Sequence, residues 1–140
     1  MKYAISKCLC GYNCKYNGGN NYNEQIKKLE HDALLICPEM LGGLPSPRVP
    51  FELKDGRAIN KDGVDVTDKI LKGCFEALKL IKENGVTKVI LKENSPTCGV
   101  NYIYDGTFTH TKIKGSGLFA LLLKLENIDV ISNEEYYEEE

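Results

Sequence analysis

At 140 residues, with 42% hydrophobic and 27% charged side chains, the chain has the composition of a globular domain long enough to bury a core without disulfides or metal staples. A net charge of -2 and a pI near 5.8 argue against the broad basic field that holds nucleic-acid polymers, although a local basic pocket is compatible with both. The N-terminus Met1-Lys2-Tyr3-Ala4-Ile5 lacks the apolar run of a signal peptide, and no stretch approaches the roughly 20 apolar residues of a membrane span, so a cytoplasmic location is expected. The six cysteines are then expected to be reduced thiols available for metal or redox chemistry, not a disulfide framework.

In chain order, residues 2–7 read as a short strand. The loop Cys8-Leu9-Cys10-Gly11-Tyr12-Asn13-Cys14 leaves it, and a turn-rich stretch follows through Asn23. Asn23 is placed to cap a short helix reaching His31, with Ile26 and Leu29 inward. Residues 32–36 form an apolar second strand expected to be buried on both faces. Residues 37–50 read as an irregular loop, loosened by Gly42 and Gly43 and stiffened by Pro45, Pro47 and Pro50.

Phe51 to Val66 looks like a hairpin excursion with Asp55-Gly56 and Asp62-Gly63 turns. A helix then runs from Asp65 or Thr67 to about Asn84, closed by Gly85; Cys74 lies on its apolar stripe and reads as core. Residues 86–91 form a third strand, Tyr102 to Phe108 a small hairpin or strand pair, and 109–117 a polar loop with His110, Lys112 and Lys114. An apolar helix at 118–125, a last strand at 129–131 and a frayed acidic tail at about 134–140 complete the chain. There is no internal repeat. The expected fold is a single α/β domain over residues 1–140: a small three-layer arrangement with a mostly parallel sheet flanked by helices, plus the short β-hairpin.

Three apolar runs each end at a thiol. Cys8 follows Tyr3 to Lys7, Cys37 follows Ala33 to Ile36, and Cys98 lies on the loop Lys92-Glu93-Asn94-Ser95-Pro96-Thr97-Cys98-Gly99 that leaves Val89-Ile90-Leu91. Open α/β sheets gather ligands at strand ends, so three such thiols would make a three-thiolate metal site. Cys10 and Cys14 make the first position ambiguous. None of these spacings is Cys-x-x-Cys, and His31 and His110 are not arranged as in a zinc finger, which leaves structural zinc a minor alternative. Glu39, two residues past Cys37, is a candidate general base beside such a site, and Ser95 a candidate proton relay, against ordinary roles as a solvated loop carboxylate and a turn-capping hydroxyl. Gly115-Ser116-Gly117 before the apolar helix reads as an anion seat or simply as a turn and cap.

At these residues the chain resembles the thiouracil desulfidase (TudS) family, formerly a domain of unknown function. The resemblance runs through Ile5-Ser6-Lys7-Cys8-Leu9-Cys10-Gly11 with Cys14-Lys15-Tyr16-Asn17-Gly18, then Cys37-Pro38-Glu39 with Gly42-Gly43-Leu44 and Pro47-Arg48. It continues through Ser95-Pro96-Thr97-Cys98-Gly99 and through Tyr104-Asp105-Gly106-Thr107-Phe108 to Gly117. It implies a [4Fe-4S] cluster with three cysteine ligands, Cys8, Cys37 and Cys98, and one open iron, with Glu39 and Ser95 as the catalytic pair. The implied activity is removal of sulfur from a thiolated pyrimidine base, giving uracil and sulfide from thiouracil without redox chemistry. Tyr16 and Tyr104 are candidate stacking surfaces for the planar ring. The implied partners are small molecules, with neither a nucleic-acid polymer nor a membrane. A different class of function, a carrier holding an extra sulfide on the open iron without turnover, is the alternative.

Overall fold

The structure is a computed structural model that describes residues 1–136. Among these the elements run β1 (Tyr3–Ser6), α1 (Glu24–Lys27), β2 (Ala33–Ile36), α2 (Pro38–Leu41), β3 (Phe51–Lys54), β4 (Arg57–Asn60), α3 (Thr67–Glu83), β5 (Lys88–Leu91), β6 (Tyr102–Tyr104), β7 (Lys112–Lys114), α4 (Leu118–Leu125) and β8 (Asp129–Ser132). Single 3-10 turns occupy Lys7–Cys10 and Glu30–Asp32.

Strands β2, β1, β5 and β8 lie side by side in that order and all neighbours are parallel, with Ile5 opposite both Leu35 and Ile90. The strand period of two sorts their side chains into two cores. Ala4, Ile36, Val89 and Leu91 face one side, where α3 and α4 contribute Ile70, Cys74, Ala77, Ile81, Phe119 and Leu123. Ile5, Ala33 and Ile90 face the other, under Leu9, Cys10 and Ile26 from the first 3-10 turn and α1. The sheet is thus the middle of three layers. The hairpins β3–β4 and β6–β7 are separate antiparallel pairs beside it.

Helix α3 forms because its apolar residues recur at three- and four-residue steps, from Ile70 through Cys74, Ala77 and Leu78 to Ile81. Burying each of the large aliphatic side chains, Ile70, Leu78 and Ile81, contributes about 1.5–3 kcal/mol. At its start Asp65 Oδ1 accepts from Thr67 N at 2.9 Å, and at its end Gly85 takes φ +64°, as a C′ glycine should.

Several expectations need correction. The helix after Asn23 is capped as expected, with Asn23 Oδ1 accepting from Ile26 N at 3.1 Å, but it stops at Lys27 and the segment to Asp32 tightens into a 3-10 turn. Strand β2 is an edge strand, so Leu34 and Leu35 are half-buried and not enclosed on both faces. The loop after Cys37 begins as the single-turn helix α2, with Pro38 at its first position. The polar loop at 109–117 contains β7, which pairs with β6. Of the acidic tail, 137–140 lies outside the described residues. Glu135 is tied down and not frayed, accepting from Ser132 N at 3.0 Å and from Asn101 Nδ2 at 2.9 Å.

Candidate functional site

Because β2, β1 and β5 are parallel neighbours, their C-terminal ends open on one side of the sheet. A cavity of about 500 Å³ sits there. Cys8, Cys14, Cys37 and Cys98 all line it, together with Glu39 and Ser95. Cys74 does not; it is fully buried between α3 and the sheet, and burial pushes its thiol up to about 12. Cys10 does not either. The 3-10 winding of Lys7–Cys10 turns it under the sheet into the core with Ile5 and Ile26, where it is 2% exposed. The ambiguity in the first motif therefore narrows to Cys8 and Cys14.

The thiols of Cys8, Cys14 and Cys37 are neighbours that shift one another's titration, and Cys37 Sγ lies 4.0 Å from Cys14 O. The Cys14 thiol has one proton to give to either Cys37 or Cys8, and these two neighbours, ahead of burial, raise its pKa. Receiving that bond, together with one from Asn21 Nδ2 at 3.3 Å and the field of Lys92, brings Cys8 down to about 7 against the opposing effect of burial. Cys37 is lowered as well, first by Cys14 and then by the backbone of Met40. Cys98 goes the other way, raised well above the ordinary thiol value by burial and by the nearby Glu39 carboxylate, against a smaller lowering from Ser6. Ser6 Oγ in turn accepts from Lys92 N at 3.0 Å, joining the end of β1 to the start of the Cys98 loop.

The Cys98 loop is organised by a buried carboxylate. Glu93 is 1% exposed, and its Oε1 accepts from the backbone N–H groups of Val100 at 2.8 Å, Asn101 at 2.9 Å and Tyr102 at 3.0 Å. Burial alone would raise its pKa, but these backbone donors together outweigh it and hold the group below the usual carboxylate range. Inside the loop Ser95 Oγ accepts from Thr97 N at 3.1 Å and Cys98 N at 3.0 Å, the capping role open to any serine before a proline turn. Both bonds use its lone pairs; its hydroxyl proton is left for another acceptor, and Ser95 lines the cavity. The loop then takes up the free end of α4. Leu118 N donates to Pro96 O at 3.1 Å and Phe119 N to Thr97 O at 2.9 Å, so Gly115-Ser116-Gly117 is a turn and cap whose helix N-terminus is already occupied by carbonyls.

Glu39 is held from two sides. Arg48 Nη2 donates to its Oε2, and Thr97 Oγ1 donates to its Oε1 at 3.2 Å. Arg48 also reaches Cys14 O at 2.9 Å through Nη2 and Pro45 O at 3.0 Å through Nη1. Tyr16, Tyr104, Phe108 and His110 also line the cavity. Phe108 and His110 both have positive φ, +59° and +58°, and Glu52 Oε1 steadies their loop by accepting from Gly106 N at 3.0 Å and Phe108 N at 3.2 Å. His31, Lys112 and Lys114 are exposed away from the cavity.

Arg48 and Thr97 lie within the sequence motifs, but their roles, like those of Ser6, Asn21, Glu52 and Glu93, emerge only from the fold. The available signal was the presence of charged or hydroxyl residues where apolar strands end; their partners lie many residues away and only the fold brings them together.

The donor set suits an iron–sulfur cluster. Soft sulfur atoms line the cavity on separate chain segments, the Cys8 sulfur accepts from Asn21 Nδ2 at 3.3 Å, and hydrogen bonds to ligand sulfurs are a common means of tuning such clusters. Among the described residues no three His, Cys, Asp or Glu side chains form a group that could hold a single metal ion.

Fold and site together define a parallel α/β protein that gathers cysteines at adjacent strand ends beside a carboxylate. The chain belongs to the 2-thiouracil desulfurase family, whose model matches residues 4–135. It is 43% identical over 143 residues to the uncharacterized protein YbbK of Bacillus subtilis (strain 168), covering 94% of this chain and 95% of that protein. Among solved structures it is similar to the [4Fe-4S]-dependent thiouracil desulfidase TudS, with a TM-score of 0.91 and 34% identity over 96% of this chain and 92% of that one.

Proposed function

We propose that this protein is an iron–sulfur-dependent desulfidase that converts a thiolated pyrimidine base and water into the oxo base and hydrogen sulfide, with no net electron transfer. The observation that carries the reading is the gathering of thiols from three adjacent strand ends, a carboxylate and a hydroxyl around one cavity. Family membership and the similarity to TudS support it.

In this reading Cys8, Cys37 and Cys98 would hold a [4Fe-4S] cluster, leaving one iron for the substrate. When bound, such a cluster supplies a thiophilic Lewis acid that polarises the C=S bond. Glu39 accepts a proton from the water that attacks the carbon. Each of its oxygens already takes one donor, which fixes the carboxylate plane while leaving lone pairs for that water. Ser95, with its lone pairs engaged by two backbone N–H groups, donates its proton toward the ring nitrogen or the departing sulfur. Tyr16 and Tyr104, which line the cavity, offer apolar faces for the ring. The cavity volume lies within the usual range for small-molecule sites.

The test is anaerobic cluster reconstitution followed by incubation with 2-thiouracil. The expected result is a brown protein that turns over many equivalents to uracil. A chain that stays colourless would remove the cluster, and one equivalent of sulfide without turnover would make the protein a carrier instead of an enzyme. Glu39→Ala is expected to keep the cluster and lose uracil formation.

A further inference from the structure

We propose that Arg48 and Thr97 are the positioning residues for Glu39, each fixing one oxygen of its carboxylate; the inference rests on the reading of Glu39 as the base. Three observations carry it. The first is the division of labour, with Arg48 Nη2 on Oε2 and Thr97 Oγ1 on Oε1, so that rotation about the terminal bond of Glu39 breaks both contacts at once.

The second is that both donors are themselves immobilised. Thr97 is fully buried; its N–H is bound by Ser95 Oγ at 3.1 Å, and its carbonyl accepts from Phe119 N at 2.9 Å. The Arg48 side chain is 5% exposed, and its fork also spans Pro45 O and Cys14 O. The backbone N–H of Arg48 adds a bond to Tyr16 O at 2.6 Å.

The third is what this arrangement sacrifices. Arg48 Nε is buried with no hydrogen-bond partner among the described residues. Native proteins keep few buried donors unpaired, and those retained call for a reason beyond stability. Here the reason is geometric: the rigid planar fork holds its N–H groups in fixed directions toward a carboxylate and two carbonyls, whereas the donors of a lysine ammonium rotate on a flexible stem. Through the same fork the carboxylate is tied to the Cys14 segment, and through Thr97 to the Cys98 loop, so Glu39 keeps its register with the thiols on either side of it.

The experiment uses the reconstituted holoprotein and 2-thiouracil. Thr97→Val, Thr97→Ser, Arg48→Lys and Glu39→Gln are compared, along with the Glu39→Gln/Thr97→Val double variant. Iron content and the 2-thiouracil dissociation constant, read from the change in the visible spectrum of the cluster, accompany kcat and KM. Thr97→Val and Arg48→Lys are expected to lower kcat on the order of 10- to 100-fold, the usual effect of losing an orienting partner, with iron content and affinity near parental. Thr97→Ser keeps the hydroxyl and restores the rate. In the double variant the Thr97 change has no further effect, because Thr97 acts only through Glu39.

A Thr97→Val protein that turns over at the parental rate, effects that add in the double variant, or loss of iron in Thr97→Val would each overturn the inference. Should Arg48→Lys fail to fold, the Thr97 series decides alone. A fully active Glu39→Gln protein would instead sink the underlying reading of Glu39, a result distinguishable from all of these.

Discussion

Gly73 of α3 lies against the carbonyl of Pro38, so closely that a Cβ built on Gly73 would stand 1.7 Å from that oxygen. The contact is reciprocal, since a Cβ on Gly42 would stand 2.0 Å from Lys69 O. These two glycines let α2 settle directly on the α3 backbone, which fixes Cys37 and Glu39 at the rim of the cavity.

Replacing Gly73 by alanine sets two effects against each other. Helix propensity favours alanine by about 1 kcal/mol. The added methyl meets backbone on the neighbouring element, which no rotamer change relieves, and overpacking of this kind costs about 1–3 kcal/mol or more. Gly73→Ala is therefore expected to be net destabilising, with a lower urea midpoint, and to lower iron retention by displacing Cys37. A stabilised variant with full iron would show that α2 shifts freely.

Glu93→Gln tests the carboxylate that organises the Cys98 loop. The folded-state pKa is depressed, so the stability it contributes is fully present above the unfolded value of about 4.3 and is lost as pH falls through the folded value. Hydrogen bonds to a charged group are worth about 1.5–3 kcal/mol each, and an amide keeps only part of them. Urea unfolding at neutral pH is expected to show a less stable variant, and a pH series a weaker loss of stability in acid. Equal stability and an unchanged acid limb would show that the charge contributes nothing.

The thiols sort by environment in the cluster-free protein. With Cys8 brought down to about 7, roughly half of it is thiolate near neutral pH, and iodoacetamide is expected to label it ahead of the buried Cys74 and Cys98, whose pKa values are raised. Cys14→Ala removes the leading hydrogen bond to Cys8, so its pKa rises and labelling at pH 7 slows. Peptide-resolved mass spectrometry reads both results. Labelling of Cys8 at the same rate in Cys14→Ala would contradict the coupling of these two thiols.

Cysteine replacements also separate ligand from core. Alanine at Cys8, Cys37 or Cys98 is expected to bleach the reconstituted protein. Alanine at Cys74 or Cys10 is expected to leave iron content intact and cost stability, because both are packed among aliphatic side chains. Iron and sulfide analysis against the denaturation midpoint distinguishes the two outcomes; bleaching by Cys10→Ala would contradict its place under the sheet.

Much of the fold was legible from local chemistry. Apolar runs that end abruptly at cysteine or at a Pro- and Gly-bearing loop identify strands and their exits, and the three- and four-residue steps from Ile70 to Ile81 identify α3 without ambiguity. That Glu39 and Ser95 would line the same cavity as the thiols was legible too, because each lies within three residues of a cysteine in sequence. The helix after Asn23 was overextended, since Ile26 and Leu29 match a helical step that the chain completes with a 3-10 turn instead. Strand β2 was overburied, because an apolar sequence does not reveal that it lies at the sheet edge.

By itself, then, the amino-acid order decided which segments become strands and helices and that thiols stand at three strand exits, because those properties depend on neighbours within a few residues. The tertiary structure decided that Cys14 and not Cys10 joins Cys8 in the cavity, that Arg48 and Thr97 close on Glu39, and that Glu93 gathers the Cys98 loop. Winding, strand order and the close approach of α2 to α3 set those distances, and each depends on atoms that the chain brings together from far apart.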